Sequence, residues 1–256
     1  MYKKALAFSA LITPLATALP AGAVTISDFN TQPPVSVADA DSPNSNVFIG
    51  QFDTTAIGGA TDIAISSSAG TDLATSVNIG APDSELSINN DLGVSSTVTL
   101  TWDGEEVEAA DRLFATGLSG GNLDLTDGGQ SDGFVLEVTE VDAENGADLT
   151  LSAYDSDGDF FTEDISQAIG RQFIPFSQFE STTLPNTDPG DFFTSVGAVQ
   201  LSVSTADSVD FGLDVLETGS RQVNTPAAGP LAAAGFAVIL ATFLVAGRGR
   251  LTEQRF

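Results

Sequence analysis

From Val24 to Asn224 apolar residues recur at every second position in short runs, and Gly, Asp, Asn, Ser or Pro separates one run from the next. In Ser96 to Trp102, Val98, Leu100 and Trp102 fall on one side and Thr97, Thr99 and Thr101 on the other. Phe134, Leu136 and Val138 alternate with Val135, Glu137 and Thr139. Val199, Leu201 and Val203 repeat the pattern, as do Val209, Phe211, Leu213 and Val215 against Asp210, Gly212 and Asp214. A period of two sends alternate side chains to opposite faces of a strand, so one face of each run belongs to a core and the other to water. Further strands are expected over Asn46 to Phe52, Asp62 to Ser66, Glu85 to Asn89, Asp148 to Tyr154 and Arg171 to Phe176. The expected fold is therefore all-β, an antiparallel β-sandwich, with no helix of comparable strength in this region. Asp103-Gly104 and Asp132-Gly133 read as hairpin turns, because Gly accepts a positive φ, and Ser36 to Asn46 reads as a loop.

The two ends of the chain follow other rules. Met1 to Lys4 is a short basic segment, Ala5 to Leu19 is apolar, and Ala21-Gly22-Ala23 is a small-x-small cleavage site; residues 1–23 are expected to be a secretory signal peptide. Leu231 to Gly247 is an uncharged, mostly apolar run without a polar stripe. With its flanks it approaches the roughly 20 residues that cross about 30 Å of hydrocarbon as a helix. Arg248 and Arg250 follow it, and by the positive-inside rule they stay in the cytoplasm. The expected organisation is a signal peptide over 1–23 and a sandwich ectodomain over 24–218. A tether and sorting segment over 219–230 follows, then a transmembrane helix over 231–247 and a basic cytoplasmic tail over 248–256. The partner implied first is the membrane, with the ectodomain exported.

The order of a proline-containing motif, an apolar helix and a basic cluster at the extreme C-terminus resembles the PEP-CTERM class of bacterial sorting signals. Asn224 to Pro230 is similar to the Pro-Thr-Pro-Ala variant of that motif, matching at Thr225, Pro226, Ala227 and Pro230 and departing at Asn224, Ala228 and Gly229. The resemblance implies an exosortase-type processing enzyme as a partner, cleavage near the motif and delivery of the ectodomain to the cell surface. Whether the tail is kept or removed is left open by the residues.

What the chain lacks narrows its chemistry. It has no Cys and no His, and its only lysines, Lys3 and Lys4, lie in the signal peptide. Ser-His-Asp and Cys-His catalysis, Schiff bases, P-loop phosphate binding and the common zinc, haem and iron-sulfur ligands are excluded. Between Val24 and Asn224 three arginines stand against 34 acids, a net charge of -31. Such a surface repels nucleic acid and anionic lipid. No disulfide can form, so stability must come from apolar burial, for which about 200 residues suffice in one core.

Several segments share an order with known surface proteins. The threonine-rich strand ending Trp102-Asp103-Gly104, then Asp124 to Phe134, Ile174 to Phe179, Val196 to Leu201 and Val209 to Phe211 together resemble bacterial surface proteins with galactose-binding-like jelly rolls. The resemblance implies a scaffold of strands with binding carried by loops. Asp155-Ser-Asp157-Gly-Asp159 offers carboxylates at alternating positions on a tight turn, the oxygen-rich arrangement calcium prefers, or else a solvated acidic turn. Asp124, Asp127 and Asp132 among glycines read as a turn, with a second ion-binding loop as the alternative, and Asp103, Glu105, Glu106 and Glu108 as a soluble edge rather than a site. No cofactor is expected beyond structural calcium. Trp102 shares the phase of Val98 and Leu100 and is expected in the core; Tyr154 is the only tyrosine after the signal.

The leading functional expectation is a non-catalytic, surface-sorted protein with an envelope, matrix or adhesion role. The alternatives are a carbohydrate-binding module for extracellular polysaccharide and a carboxylate-dependent glycosidase, since glycoside hydrolysis needs only two suitably spaced acids.

Overall fold

A computed structural model describes residues 23–30, 35–39, 46–51, 56–68, 74–80, 85–104, 118, 122–142 and 146–221. The chain divides into two units, Met1–Arg221 and Gln222–Phe256. Residues 1–22 of the expected signal peptide (1–23), the expected sorting motif at Thr225, Pro226, Ala227 and Pro230, the apolar run over 231–247, and Arg248 and Arg250 lie outside the described residues. Among those described, no helix is long and apolar enough to cross a membrane.

Thirteen strands are described: β1 (Thr25–Ser27), β2 (Val35–Asp39), β3 (Asn46–Gln51), β4 (Thr61–Ser67), β5 (Thr75–Gly80), β6 (Glu85–Asn90), β7 (Ser96–Trp102), β8 (Gly133–Val141), β9 (Ala147–Tyr154), β10 (Phe160–Ile165), β11 (Gly170–Pro175), β12 (Ala198–Thr205) and β13 (Phe211–Gly219). They form two antiparallel sheets. Sheet A has the order β11-β8-β13-β6-β5-β2, with β1 added beside β13, and sheet B the order β10-β9-β12-β7-β4-β3. β6 pairs with β13, β7 with β12, β8 with β11 and β9 with β10. These four pairs are one long two-stranded ribbon, closed by the β9–β10 hairpin and wound so that successive pairs alternate between sheets. That winding is a jelly roll. β2 with β5 and β3 with β4 form a second, shorter ribbon that widens both sheets on the same side.

The inner faces of the two sheets share one core. Val98, Leu100 and Trp102 of β7 and Leu201 and Val203 of β12 meet Leu136 and Val138 of β8 and Leu86 and Ile88 of β6, all essentially without exposure. Trp102 lies in this core as its phase requires, its ring 6.4 Å from that of Phe29. At one end the core becomes aromatic. Phe134 lies 5.3, 5.5 and 5.6 Å from Phe176, Phe179 and Phe193, mostly in edge or tilted contacts that suit ring quadrupoles. The helical turn α1 (Pro189–Phe192), capped by Asp188 Oδ1 accepting from Gly190 N at 2.8 Å, brings in Phe192 and Phe193.

Several expectations change. Ser36 to Asn46, expected as a loop, contains most of β2. Asp103-Gly104 does not turn a hairpin, since the next long strand begins only at Gly133; Gly104 opens a long connection at φ +77°. Asp132-Gly133 is no turn either. Gly133 starts β8, paired with Pro175 and Gly219, where an added Cβ would fall 2.4 Å from Ile174 O. In β13, register shifts after Gly212 and after Leu213 break the alternation, so Leu216 rather than Val215 enters the core. β1, β5 and β10 add to the strands expected.

The opposite end is held by Asn90. Its Nδ2 donates to Thr205 Oγ1 at 2.7 Å and to Val209 O at 2.8 Å, while its Oδ1 accepts from Thr75 Oγ1 at 2.7 Å and Ser96 Oγ at 2.9 Å. One amide thus joins β5, β6, β7, β12 and the turn after β12. Removing it leaves buried hydroxyls of Thr75 and Ser96 short of partners, which costs more than a hydrogen bond is worth net. Asn90→Ala is expected to lower the unfolding free energy by about 2–4 kcal/mol in urea titration with an unchanged m-value. Asn90→Asp, which cannot donate, is expected to cost at least as much.

Candidate ligand-binding face

The outer face of sheet B is built by register. β12 pairs with β9 on one side and β7 on the other, and β7 pairs with β4, so residues pointing away from the core line up across the strands. One row runs Asp164, Thr150, Ser202, Thr99, Ala64, and the next Thr162, Ser152, Gln200, Thr101, Asp62. A third holds Asp148, Ser204, Thr97 and Ser66, and Phe160 and Tyr154 pair at one corner. Strands about 4.8 Å apart with outward residues about 6.8 Å apart make this a regular lattice of hydroxyls and one amide. The two central strands, β7 and β12, carry no charge at all.

Neighbouring groups on the lattice orient one another. Tyr154 OH donates to Gln200 Oε1 at 3.3 Å, and Gln200 Nε2 donates to Thr101 Oγ1 at 3.2 Å, which fixes the amide and leaves its second N–H to offer outward. Thr97 Oγ1 and Ser204 Oγ are 2.9 Å apart, and Thr150 Oγ1 donates to Asp164 Oδ1 at 2.9 Å. Ser152, Thr101 and Asp62 are buried, so Thr162 and Gln200 are the reachable members of their row. The half-buried Tyr154 ring lies 5.5 Å from Phe160 at 36°, an aromatic corner beside the hydroxyl rows. Burial pushes its phenol above the ordinary tyrosine value, against a lesser effect of Ser152, so it stays a hydrogen-bond donor.

The acidic motifs have other placements. Asp155, Asp157 and Asp159 form the turn of the β9–β10 hairpin, where Asp155 Oδ1 accepts from Asp157 N at 2.9 Å and Asp159 N at 3.0 Å. Among the described residues no three acids are grouped to hold a metal ion. Asp124 organises the loop before β8. Its Oδ1 accepts from Thr126 N and Oγ1 at 2.8 and 2.6 Å, and its Oδ2 accepts from Gly128 N at 2.9 Å. Asp127 turns the chain at φ +48°, and Asp132 Oδ1 accepts from Arg221 N at 3.0 Å.

Asp103, expected on a soluble edge, is 1% exposed. The turn Ile57–Gly59 and Leu118 close over this end of β7, so tightly that a Cβ on Gly58 would meet Gly104 Cα at 2.5 Å. Glu105, Glu106 and Glu108 lie outside the described residues. The segments Asp124 to Phe134 and Ile174 to Phe179 serve the aromatic end of the core, so their shared order belongs to the scaffold.

No protein-family model matches this chain, and no curated protein does. Among solved structures, the family 11 carbohydrate-binding module of the cellulosomal cellulase Lic26A-Cel5E of Clostridium thermocellum shares 10% identity over 79% of this chain and 98% of its own, with a TM-score of 0.35. The family 11 module from the same organism in complex with a β-1,3-1,4-mixed-linked tetrasaccharide gives 11%, 78%, 96% and 0.37. An agarase, AgWH50C, gives 10% identity over 77% of this chain and 26% of its own, with 0.31. Scores of this size assign no ligand to this chain.

Charge crowding elsewhere on the domain sets its response to pH. Desolvation, with Asp142, Asp210 and Glu85 nearby, holds Glu140 above the ordinary glutamate value of 4.5. Desolvation with Asp164 and Glu180 does the same to Glu163. Asp124 is held below 3.8, chiefly by the Thr126 hydroxyl. Ionised Glu140 and Glu163 oppose folding, and the opposition disappears as pH falls through their raised values toward 4.5. Asp124 contributes stability above 3.8 that is lost as pH falls through its lowered value. Thermal midpoints are therefore expected to rise on acidification from neutral toward about pH 5 and to fall again below about pH 4, in a melting series at constant salt.

Proposed function

We propose that this chain is an exported, non-catalytic surface protein whose β-sandwich binds a neutral extracellular polysaccharide on the outer face of sheet B. The carrying observation is the lattice of Thr97, Thr99, Ser202, Ser204 and Gln200, uncharged across two central strands, beside the Tyr154–Phe160 corner. Sugar hydroxyls need donors and acceptors at close spacing and an aromatic face for their C–H surfaces. A domain with a net charge of -31 would repel acidic polymers while leaving neutral ones unaffected. This favours polysaccharide binding over an unspecified envelope role. Among the described residues the two glutamates held above the ordinary value lie on different sheets, Glu140 on β8 and Glu163 on β10, which supports the non-catalytic reading over a paired-carboxylate glycosidase.

On a glycan array the protein is expected to bind neutral glucans or galactans and not sulfated or uronic-acid polymers. Tyr154→Ala is expected to weaken binding roughly tenfold, about 1.4 kcal/mol, and Gln200→Ala similarly, with thermal midpoints little changed. Equal binding by both variants would contradict the assignment of this face, and release of sugar from any bound polymer would contradict the non-catalytic reading.

The C-terminal segment, read as a sorting signal, supports delivery by an exosortase-type enzyme. The mature chain from its own cells is expected to end near Pro226, by intact mass; a chain ending at Phe256 would make it a membrane-anchored protein instead. A structural calcium at Asp155, Asp157 and Asp159 is a separate proposal resting on their spacing, and a thermal midpoint indifferent to millimolar calcium and to chelator removes it.

A further inference from the structure

The strands of sheet B carry no positive charge. Among the described residues the two arginines are Arg171 on β11 of sheet A and Arg221, whose guanidinium lies 5.6 Å from the ring of Phe173, also on β11. The exposed acids of sheet B, Asp148 and Asp164, both stand on its outer face at the β9–β10 margin. Asp164 begins the row that continues as Thr150, Ser202 and Thr99, and Asp148 begins the row of Ser204 and Thr97. Asp164 pairs with Thr150 in register and Asp148 lies two residues before Thr150, so the two acids are diagonal neighbours with Cα atoms about 7–8 Å apart. Thr150 Oγ1 orients one of them by donating to Asp164 Oδ1 at 2.9 Å. At the far end of the same two strands, Tyr154 and Phe160 are joined by the turn that carries Asp155, Asp157 and Asp159. The neutral rows of β7 and β12 are thus bordered on one side by carboxylates and an aromatic corner.

We infer that the polymer taken by this face is an amino-sugar polysaccharide in which some units carry a free amine. The inference rests on the proposed binding face and names the class of its ligand. Neutral units fit the uncharged hydroxyl rows of β7 and β12. An ammonium group has three donors and no acceptor, so it makes charge-assisted hydrogen bonds to Asp148 and Asp164 where a sugar hydroxyl makes weaker ones. It is also attracted to the face of a tyrosine ring, which Tyr154 offers beside Phe160. A domain of net charge -31 draws such a polymer from a distance and speeds its association, for the same reason that it repels an acidic one. A bound ammonium also relieves the repulsion between the two diagonal carboxylates. An unsubstituted glucan would gain nothing from the acidic margin.

Two β-1,4-linked oligomers of N-acetylglucosamine, equal in length, test this when titrated into the protein purified from its own cells: one fully acetylated, the other with part of its amines freed. Chelator is present so that no calcium competes for the carboxylates. The amine-bearing oligomer is expected to bind roughly five- to tenfold more tightly at low salt, the scale of two exposed ion pairs. The ratio is expected to fall toward one near 1 M salt, where the screening length is about 3 Å. Asp148→Asn combined with Asp164→Asn is expected to bring the ratio close to one. Glu140→Gln combined with Asp142→Asn removes equal charge from the sheet A side and is expected to leave the ratio as it was. Equal affinity for the two oligomers, no binding of the amine-bearing one, or the same loss from both double variants would overturn the assignment. A lysine oligomer of equal charge that binds as tightly would overturn it too, because it has no sugar to fit the hydroxyl rows. If the face itself is wrong, Tyr154→Ala leaves the affinity for both oligomers unchanged whatever their ratio, and both readings fall.

Discussion

Two sheets packed face to face bury alternate side chains along most of their strands, and among the described residues no other packing replaces that burial. Cysteine is absent, and among the described residues the one ion pair, Arg171 with Glu217, is at the surface and worth little. At about 25 cal/mol per Å² of apolar surface, the alternation of Val98, Leu100 and Trp102 with threonines is itself the source of stability. The jelly-roll winding follows from the same demand. A two-stranded ribbon with one apolar face can hide that face only by folding across itself, and each crossing between sheets places the next pair over the last.

The same alternation produces the candidate face. Once Val98, Leu100, Leu201 and Val203 are committed to the core, Thr97, Thr99, Ser202 and Ser204 are committed to one flat array on the other side. Acids would repel one another at strand spacing, directly opposite or diagonal, and β7 and β12 have none. Many of the domain's acids instead occupy turns and strand ends, where Asp124 and Asp155 cap backbone N–H groups and Glu140 meets its neighbours at the cost of a raised protonation equilibrium. A strongly acidic domain can therefore keep a neutral face, with its charge at the margins.

Much of the fold was legible in single segments. β7 was found to the residue, because Ser96 to Trp102 alternates without interruption between turn residues. Ser, Asp and Asn dominate the surroundings of β2 and give it the composition of a loop, and Glu163 and Asp164 interrupt the apolar rhythm of β10 at an edge, where charge is tolerated. The bulged register of β13 could not be read from alternation, which assumes that no residue is skipped. The candidate face was less legible. Tyr154 stood out as the lone tyrosine, but the rows depend on pairings such as Thr97 with Ser204 and Ser152 with Gln200, between segments far apart in the chain. Asp103 reads as an edge in the sequence, while the Ile57–Gly59 turn that packs against Gly104 beside it is distant in the chain.

The most direct test of the proposed face is hydroxyl-radical footprinting of the protein with and without the neutral polysaccharide that ranks first on the glycan array. Tyr154 and Phe160 on sheet B and Phe173 on sheet A are all half-buried and open to oxidation. Polysaccharide is expected to slow oxidation of Tyr154 and Phe160 and to leave Phe173 unchanged. Protection of Phe173 with Tyr154 unaffected would move the binding surface to the other sheet and contradict it.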